Sequence, residues 1–245
     1  MPIEPRFRHF ETVGSTNDIA LDLARDGEPE GLVITATSQL SGRGRRGRTW
    51  VDEPGQAIIM SVILRPDIPA SEMSRLSFVA SLAVAEWLTS ECGLDCALKW
   101  PNDVLVGGGK IAGILIELAG PAVVAGIGVN VNQRQFPDDL ADSATSVAIE
   151  TRQSYDIPAL TNSLAGSLFG VYERFLASGF EEILADWRKY IWGVGESVEI
   201  ATEGRTLNGI IRGVDSEGAL LLQNAGGLHT IHSADAITTT RSIHG

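Results

Sequence analysis

Cysteine is nearly absent: Cys92 and Cys96 are the only two thiols in 245 residues, and no histidine or further cysteine stands near them in the chain. That shortage excludes a disulfide-stapled scaffold and a cysteine-rich zinc site, and it fits idle thiols in a reducing compartment. Long apolar runs are missing too; no stretch reaches the roughly 18 uninterrupted apolar residues of a spanning helix. Met1 to Phe10 carries Glu4, Arg6, Arg8 and His9 where a secretory signal needs an apolar core. A soluble, cytoplasmic protein with no membrane partner is expected. Positive charge is scarce as well, with 19 Lys and Arg against 31 Asp and Glu, a formal net charge of −12. Phosphate-driven binding to nucleic acid needs a basic face, so nucleic acid is excluded as a partner.

Against that acidic background one segment stands apart. Gly42 to Trp50 reads G-R-G-R-R-G-R-T-W, with four arginines and three glycines in nine residues. Glycine lets a backbone turn tightly and come close to a ligand, and arginine offers a planar donor fork that fits carboxylate and phosphate. Four guanidiniums repel one another until an anion joins them. The loop therefore reads as an anion clamp.

The rest of the chain supplies a frame for it. Ser15-Thr16-Asn17-Asp18 has the polar residues of a helix start, and Gly27 ends that helix. Leu32 to Thr37 and Ala57 to Leu64 are apolar, β-branched runs that predict buried strands. A helix is expected from about Ala70 to Cys92, then strands at Cys96–Trp100, Val104–Val106, Ile111–Leu118 and Val123–Val131. Helices follow at Pro158–Ala177 and Phe180–Tyr190. After Trp192-Gly193 come short alternating runs, Ser197–Ala201, Thr206–Val214, Ala219–Leu222 and Leu228–His232, which predict a small β-barrel or sandwich. Helices scattered among hairpin-like strands, followed by an all-β tail, give an α+β fold rather than a doubly wound parallel sheet.

Two glycine motifs mislead. Gly42, Gly44 and Gly47 spell G-x-G-x-x-G, but a dinucleotide fingerprint must open a helix, and Asp52-Glu53-Pro54-Gly55 cannot continue one. Gly107-Gly108-Gly109-Lys110 suggests a phosphate loop, yet Val104 stands where its first glycine belongs and Ile111 where its hydroxyl residue belongs. Lys110 is then either a strand-end lysine reaching for water or a fixed cation facing a pocket. Lys99-Trp100-Pro101-Asn102-Asp103 places an amide and a carboxylate just after a strand, as an Asx turn or as site residues. Gly126-Ile127-Gly128-Val129-Asn130 alternates small residues along a strand, which admits a ligand or a second backbone.

Taken together, Ser15-Thr16-Asn17, Gln39, G-R-G-R-R-G-R-T-W, K-W-P-N-D-V, G-K-I-A-G-I-L-I-E and G-I-G-V-N-V-N resemble the biotin protein ligases (biotin–[acetyl-CoA-carboxylase] ligases). The resemblance implies a mixed or antiparallel central sheet with flanking helices, similar to class II synthetases, over residues 1–192, and a small SH3-like barrel over residues 193–245. It implies ATP-dependent attachment of biotin to one lysine of a biotin carboxyl carrier domain, through biotinyl-5′-AMP, with Mg²⁺. By similarity Ser15, Thr16, Asn17, Gln39, Arg43, Gly44, Arg45, Lys110 and Gly113 bind biotin. Arg45, Arg48, Trp50, Asn102, Lys110 and Asn130 bind the nucleotide, Trp50 as a stacking surface for adenine. Arg45 and Lys110 are the catalytic pair, Asp103 either holds Mg²⁺ or orients the loop, and Ile114 and Ile116 line the biotin tail.

Longer relatives carry an N-terminal DNA-binding module that makes them repressors. Here the likeness begins near residue 10, so a monofunctional ligase is expected. A lipoate or octanoate ligase or transferase is the enzymatic alternative, and a non-catalytic biotin-binding protein the third. A homodimer is left open.

Overall fold

The computed structural model describes residues 3–202 and 204–239. Residues 240–245, the end of the expected barrel, lie outside them. Two sheets carry the chain. The larger has seven strands in the order β1 (Arg6–Val13), β2 (Leu32–Gln39), β3 (Ala57–Leu64), β7 (Ala122–Asn130), β6 (Gly109–Ala119), β5 (Asp103–Val106) and β4 (Cys96–Lys99). β1 and β2 run parallel, and every other neighbouring pair is antiparallel, so the sheet is mixed. The fold is α+β, as expected.

Helix α1 (Thr16–Arg25) packs Ala20, Leu21 and Ala24 onto one face of this sheet, against Leu32, Ile34, Ile63 and Val124. The other face is covered by α2 (Leu76–Cys92), which is apolar all round, and by α4 (Ile157–Ser178) and α5 (Phe180–Trp187). A helix with no polar face belongs in an interior, and Trp87, Leu82 and Leu88 of α2 are fully buried. A short α3 (Val147–Thr151) is capped by Ser146, whose hydroxyl accepts from the Ile149 N–H at 3.1 Å.

The helix expected from Ala70 begins instead as a 3-10 turn, Ala70–Arg75, in which only Met73 is buried. Without an apolar stripe to pack, that segment has no reason to wind as α-helix. Strand β1 was not expected at all. Its charged residues are exposed, as is usual for an edge strand, and it is held by pairing to β2.

The tail forms a five-stranded antiparallel sheet in the order β11 (Gly227–Ile231), β10 (Leu220–Asn224), β9 (Arg205–Val214), β8 (Ser197–Thr202), β12 (Ala236–Thr239). Val198, Ile200, Ile211 and Leu222 join the same apolar core as α2 and α5. Trp100 clamps the two sheets together: its Nε1–H donates to the Gly218 carbonyl at 2.9 Å. Gly218 has φ +85°, and a side chain there would strike Phe78. Burial pushes the Cys92 thiol up to about 11 and the Cys96 thiol up to about 12, which keeps both protonated at neutral pH.

Candidate active site

The start of α1 sits over the middle of the large sheet. Ser15 is the N-cap residue, yet its hydroxyl makes no capping bond, so it remains available to the adjoining cavity. The Thr16 N–H and hydroxyl both donate to Gln39 Oε1, at 2.8 and 3.1 Å. Asn17 donates from Nδ2 to Glu117 at 2.7 Å, and its Oδ1 accepts from the Ser61 hydroxyl at 2.5 Å. Ser61 also lies 2.7 Å from Thr16 Oγ1. Ser15, Thr16 and Asn17 are each under 5% exposed, which makes this a rigid, buried polar socket. Gly126 is required beneath it, because a Cβ there would collide with the Asn17 amide.

The Arg-Gly loop crosses the mouth of the socket. It is closed by Gly44 N–H to Arg48 carbonyl at 2.7 Å and by Trp50 N–H to Gly42 carbonyl at 3.0 Å. Arg46 adopts φ 56°, a left-handed conformation that costs a non-glycine residue about 1–2 kcal/mol. Contacts with the C-terminal sheet hold it there: Arg46 donates to Ser233 Oγ at 3.1 Å and pairs with Asp235, while Arg48 donates to the Asp235 carbonyl. Arg43 turns the other way, to Asp18 at 2.7 Å and Glu117 at 2.9 Å. These pairs are substantially exposed, so each contributes at most about 1 kcal/mol and exchanges readily for a ligand.

Arg45 reaches Asn102 Oδ1 at 3.2 Å, and Asn102 Nδ2 is itself fixed on the Ile114 carbonyl at 3.0 Å. Burial, then repulsion from Arg46, lowers the Arg45 guanidinium from its usual range, and Asp103 opposes this. Lys110 contacts Asp103 Oδ1 at 2.7 Å, and that oxygen has no hydrogen-bond partner beyond the pair. The Lys110 backbone is pinned by its N–H to Ser143 at 2.8 Å and its carbonyl to Thr145 N–H at 2.9 Å.

Two chambers result. The larger, about 640 Å³, is lined by Arg43, Arg45, Arg46, Arg48, Lys99 and Lys110, with Asp103 and Asp235 as its only carboxylates among the described residues. Among the described residues six cationic side chains therefore face one space, in a chain of net charge −12. The smaller is the socket, where only about 30 Å³ remains open. Trp50, Arg43 and Leu115 line both. The Trp50 ring lies on the bare backbone of Gly113 and Gly128, which pair directly across β6 and β7. A Cβ at Gly128 would come within 2.6 Å of that ring, and one at Gly113 within 3.2 Å of both the ring and Lys110.

Of the residues read from sequence, Ser15, Thr16, Asn17, Gln39 and Arg43 line the socket, and Gly44, Arg45, Arg48, Trp50, Asn102, Asp103, Lys110 and Gly113 line the larger chamber. Asn130 lines neither. It is buried, and its amide donates to the Thr145 carbonyl at 3.0 Å, so it braces the segment behind Lys110. Ile114 is buried in the main core and also lines the larger chamber, Ile116 packs against that core and lines neither chamber, and Gly113, Leu115 and Glu117 border the site. Side chains alternate faces along a strand, and Gly113, Leu115 and Glu117 share one face of β6. Ser61, Glu117 and Lys99 were assigned no role from sequence. Ser61 was findable, as the only polar residue in the run A-I-I-M-S-V-I-L of β3.

Comparison with known proteins defines the class. The profile of the Biotin/lipoate A/B protein ligase family matches residues 9–133, and that of the biotin protein ligase C-terminal domain matches residues 193–237. The chain belongs to the biotin protein ligases of that family. It is 37% identical to the biotin–[acetyl-CoA-carboxylase] ligase of Paracoccus denitrificans, over 90% of this chain and 95% of that one. It is 36% identical to the bifunctional ligase/repressor BirA of Bacillus spizizenii, over 92% of this chain and 71% of that protein. Among solved structures it resembles the biotin protein ligase of Aquifex aeolicus in complex with biotin and ATP, with a TM-score of 0.88, 26% identity and coverage of 96% of this chain and 99% of that one. No described helix is long and apolar enough to cross a membrane.

Proposed function

We propose that the protein activates biotin with ATP and passes it to a lysine of a biotin carboxyl carrier domain. The observation that carries this is the union of the two chambers at Trp50, Arg43 and Leu115: a neutral hydrogen-bonding socket opens into a strongly cationic space. Biotin has a neutral ureido head with two N–H donors and one carbonyl, an apolar tail and a carboxylate end. Hydroxyls and amides of Ser15, Thr16, Asn17 and Gln39 suit the head, Leu115 suits the tail, and the carboxylate would emerge beside Lys110 and Arg45. The larger chamber suits a polyanionic triphosphate.

Chemistry then follows from charge. A carboxylate oxygen attacks the α-phosphorus, the bond to pyrophosphate breaks, and charge accumulates on phosphoryl oxygens held by Arg45 and Lys110. The carrier's amine next attacks the acyl carbon and expels AMP. Shutting the loop keeps water from the mixed anhydride meanwhile. The phosphates of ATP would carry Mg²⁺, which would add positive charge beside the phosphoryl oxygens. No described cluster of three His, Cys, Asp or Glu residues forms a metal cage, and Asp103 is the carboxylate the ion would meet beside Lys110. Residues 1–192 would form the catalytic domain and 193–245 a second domain that anchors the loop through Asp235, in a cytoplasmic enzyme.

Lipoate is disfavoured by the socket itself. A dithiolane ring makes no use of its donors and acceptors, and leaving buried polar groups unpaired gives discrimination on the order of 10⁴-fold. Incubation with ATP, Mg²⁺, a carrier domain and either biotin or lipoate should add only the mass of biotin, and only when ATP is present. Lipoate's mass instead, or biotin's without ATP, would overturn the reading.

The socket makes a second prediction. Gly126→Ala forces the Asn17 amide out of place and should weaken biotin binding about 100-fold by calorimetry. Undiminished affinity would mean that Asn17 does not touch the vitamin.

A further inference from the structure

Lys99 ends β4 and lines the cationic chamber. Its Nζ rests 4.8 Å from the centroid of the Trp192 ring, which lines the same chamber. Trp192 is fixed by backbone: its N–H donates to the Leu98 carbonyl at 2.9 Å, and the Leu98 N–H donates to the Tyr190 carbonyl at 2.7 Å. The register of the hairpin pairs Lys99 with Asp103, but Asp103 gives its Oδ1 to Lys110. Among the described residues no carboxylate stands within ion-pair distance of Lys99.

The other cations of the chamber are differently placed. Arg43 and Arg46 have carboxylate partners and belong, with Arg45 and Arg48, to the loop. Lys99 stands instead on a strand end, so its position precedes any ordering of the loop. Burial, with repulsion from Lys110 and Arg48, lowers its ammonium from the usual lysine range, and Asp103 opposes this. A partly buried ammonium that rests on an aromatic face, with Asp103 acting on it only from beyond ion-pair distance, is a place where an anion is strongly favoured.

We infer that Lys99 is a catalytic residue of the first half-reaction, where its ammonium receives the departing pyrophosphate. This rests on the reading that ATP is the second substrate. When biotin's carboxylate oxygen bonds to the α-phosphorus, the α–β bridging oxygen leaves with the bonding pair. The new negative charge falls on the pyrophosphate, Lys99 stays protonated, and no proton changes hands. The second half-reaction expels AMP, not pyrophosphate, and makes no demand on Lys99.

That asymmetry is the test. Lys99→Met should cut biotin-dependent pyrophosphate release on the order of 100-fold. Transfer from purified biotinyl-AMP to the carrier domain should stay within about twofold of wild type, a change too small to count as loss of a charged contact. Calorimetry with inorganic pyrophosphate should show weakened binding in Lys99→Met, unchanged binding of AMP, and recovery of pyrophosphate binding in Lys99→Arg. Equal losses in both half-reactions, or pyrophosphate bound as tightly as in wild type, would overturn the inference. Absence of biotin-dependent pyrophosphate release in the wild type would instead reject the assignment of ATP, a separate failure read from a separate sample.

Discussion

Replacing Lys110 by alanine is expected to reduce biotin-dependent pyrophosphate exchange by a factor of 10² to 10³ while barely altering stability. The activity term is large because Lys110 is a preorganised cation in the larger chamber, its backbone pinned by Ser143 and Thr145. Removing one such stabilising group from a transition state that gathers charge costs about 3–4 kcal/mol. The stability term is small because the Lys110–Asp103 pair is partly solvated, with side-chain exposures of 36% and 23%, and pairs of that kind contribute about 1 kcal/mol or less. Thermal unfolding and exchange measured on one sample separate the two. Exchange within tenfold of wild type would remove Lys110 from the chemistry.

Arg45→Gly should have the second largest effect, and of another kind. Arg45 is braced by Asn102, which the Ile114 carbonyl holds in turn, and the guanidinium is already under pressure from burial and from Arg46. An arriving phosphate relieves that pressure. Loss of its charge-assisted hydrogen bonds is worth about 3 kcal/mol, so biotinyl-AMP should dissociate on the order of 100-fold faster. The variant would then release intermediate into solution and label bystander amines. Retention of the adenylate as in wild type, followed by filter binding, would show that the loop closes without this residue.

Much of the architecture was legible because the buried strands announce themselves. β3 and β7 are nearly continuous apolar runs and β2 opens on Leu-Val-Ile, a pattern that admits few alternatives. What escaped notice was held by neighbours and not by its own pattern: β1, with Arg6, Arg8 and His9, is a strand because β2 is there to pair with it. The five-residue α3 and the threonine-rich β12 are too short to show a period.

Within the site, the Arg-Gly loop and the Ser15-Thr16-Asn17 corner were legible as residue types. Orientation was not. A period of two tells which residues of β6 share a face, but nothing in the strand says which face meets the loop, so it was not legible that Leu115 lines both chambers and Ile116 neither. A register shift between Val104 and Leu105, opposite Lys110, complicates it further. Bulges re-aim side chains, and this one lets Lys110 and Gly113 face the same chamber although they are three residues apart. Asn130 shows the same limit, since an amide at a strand end looks identical whether it serves a ligand or a neighbouring carbonyl.

The indole that lies across Gly113 and Gly128 has a consequence for affinity. With its Nε1 buried and lacking a hydrogen-bond partner, it behaves as a guest lodged in a berth meant for another. A ligand that is to lie over Gly113 and Gly128 must displace this ring, so its affinity would be the difference between two tenancies. Any change that makes the resident ring less comfortable, without altering the walls, should make the enzyme bind its substrate more tightly.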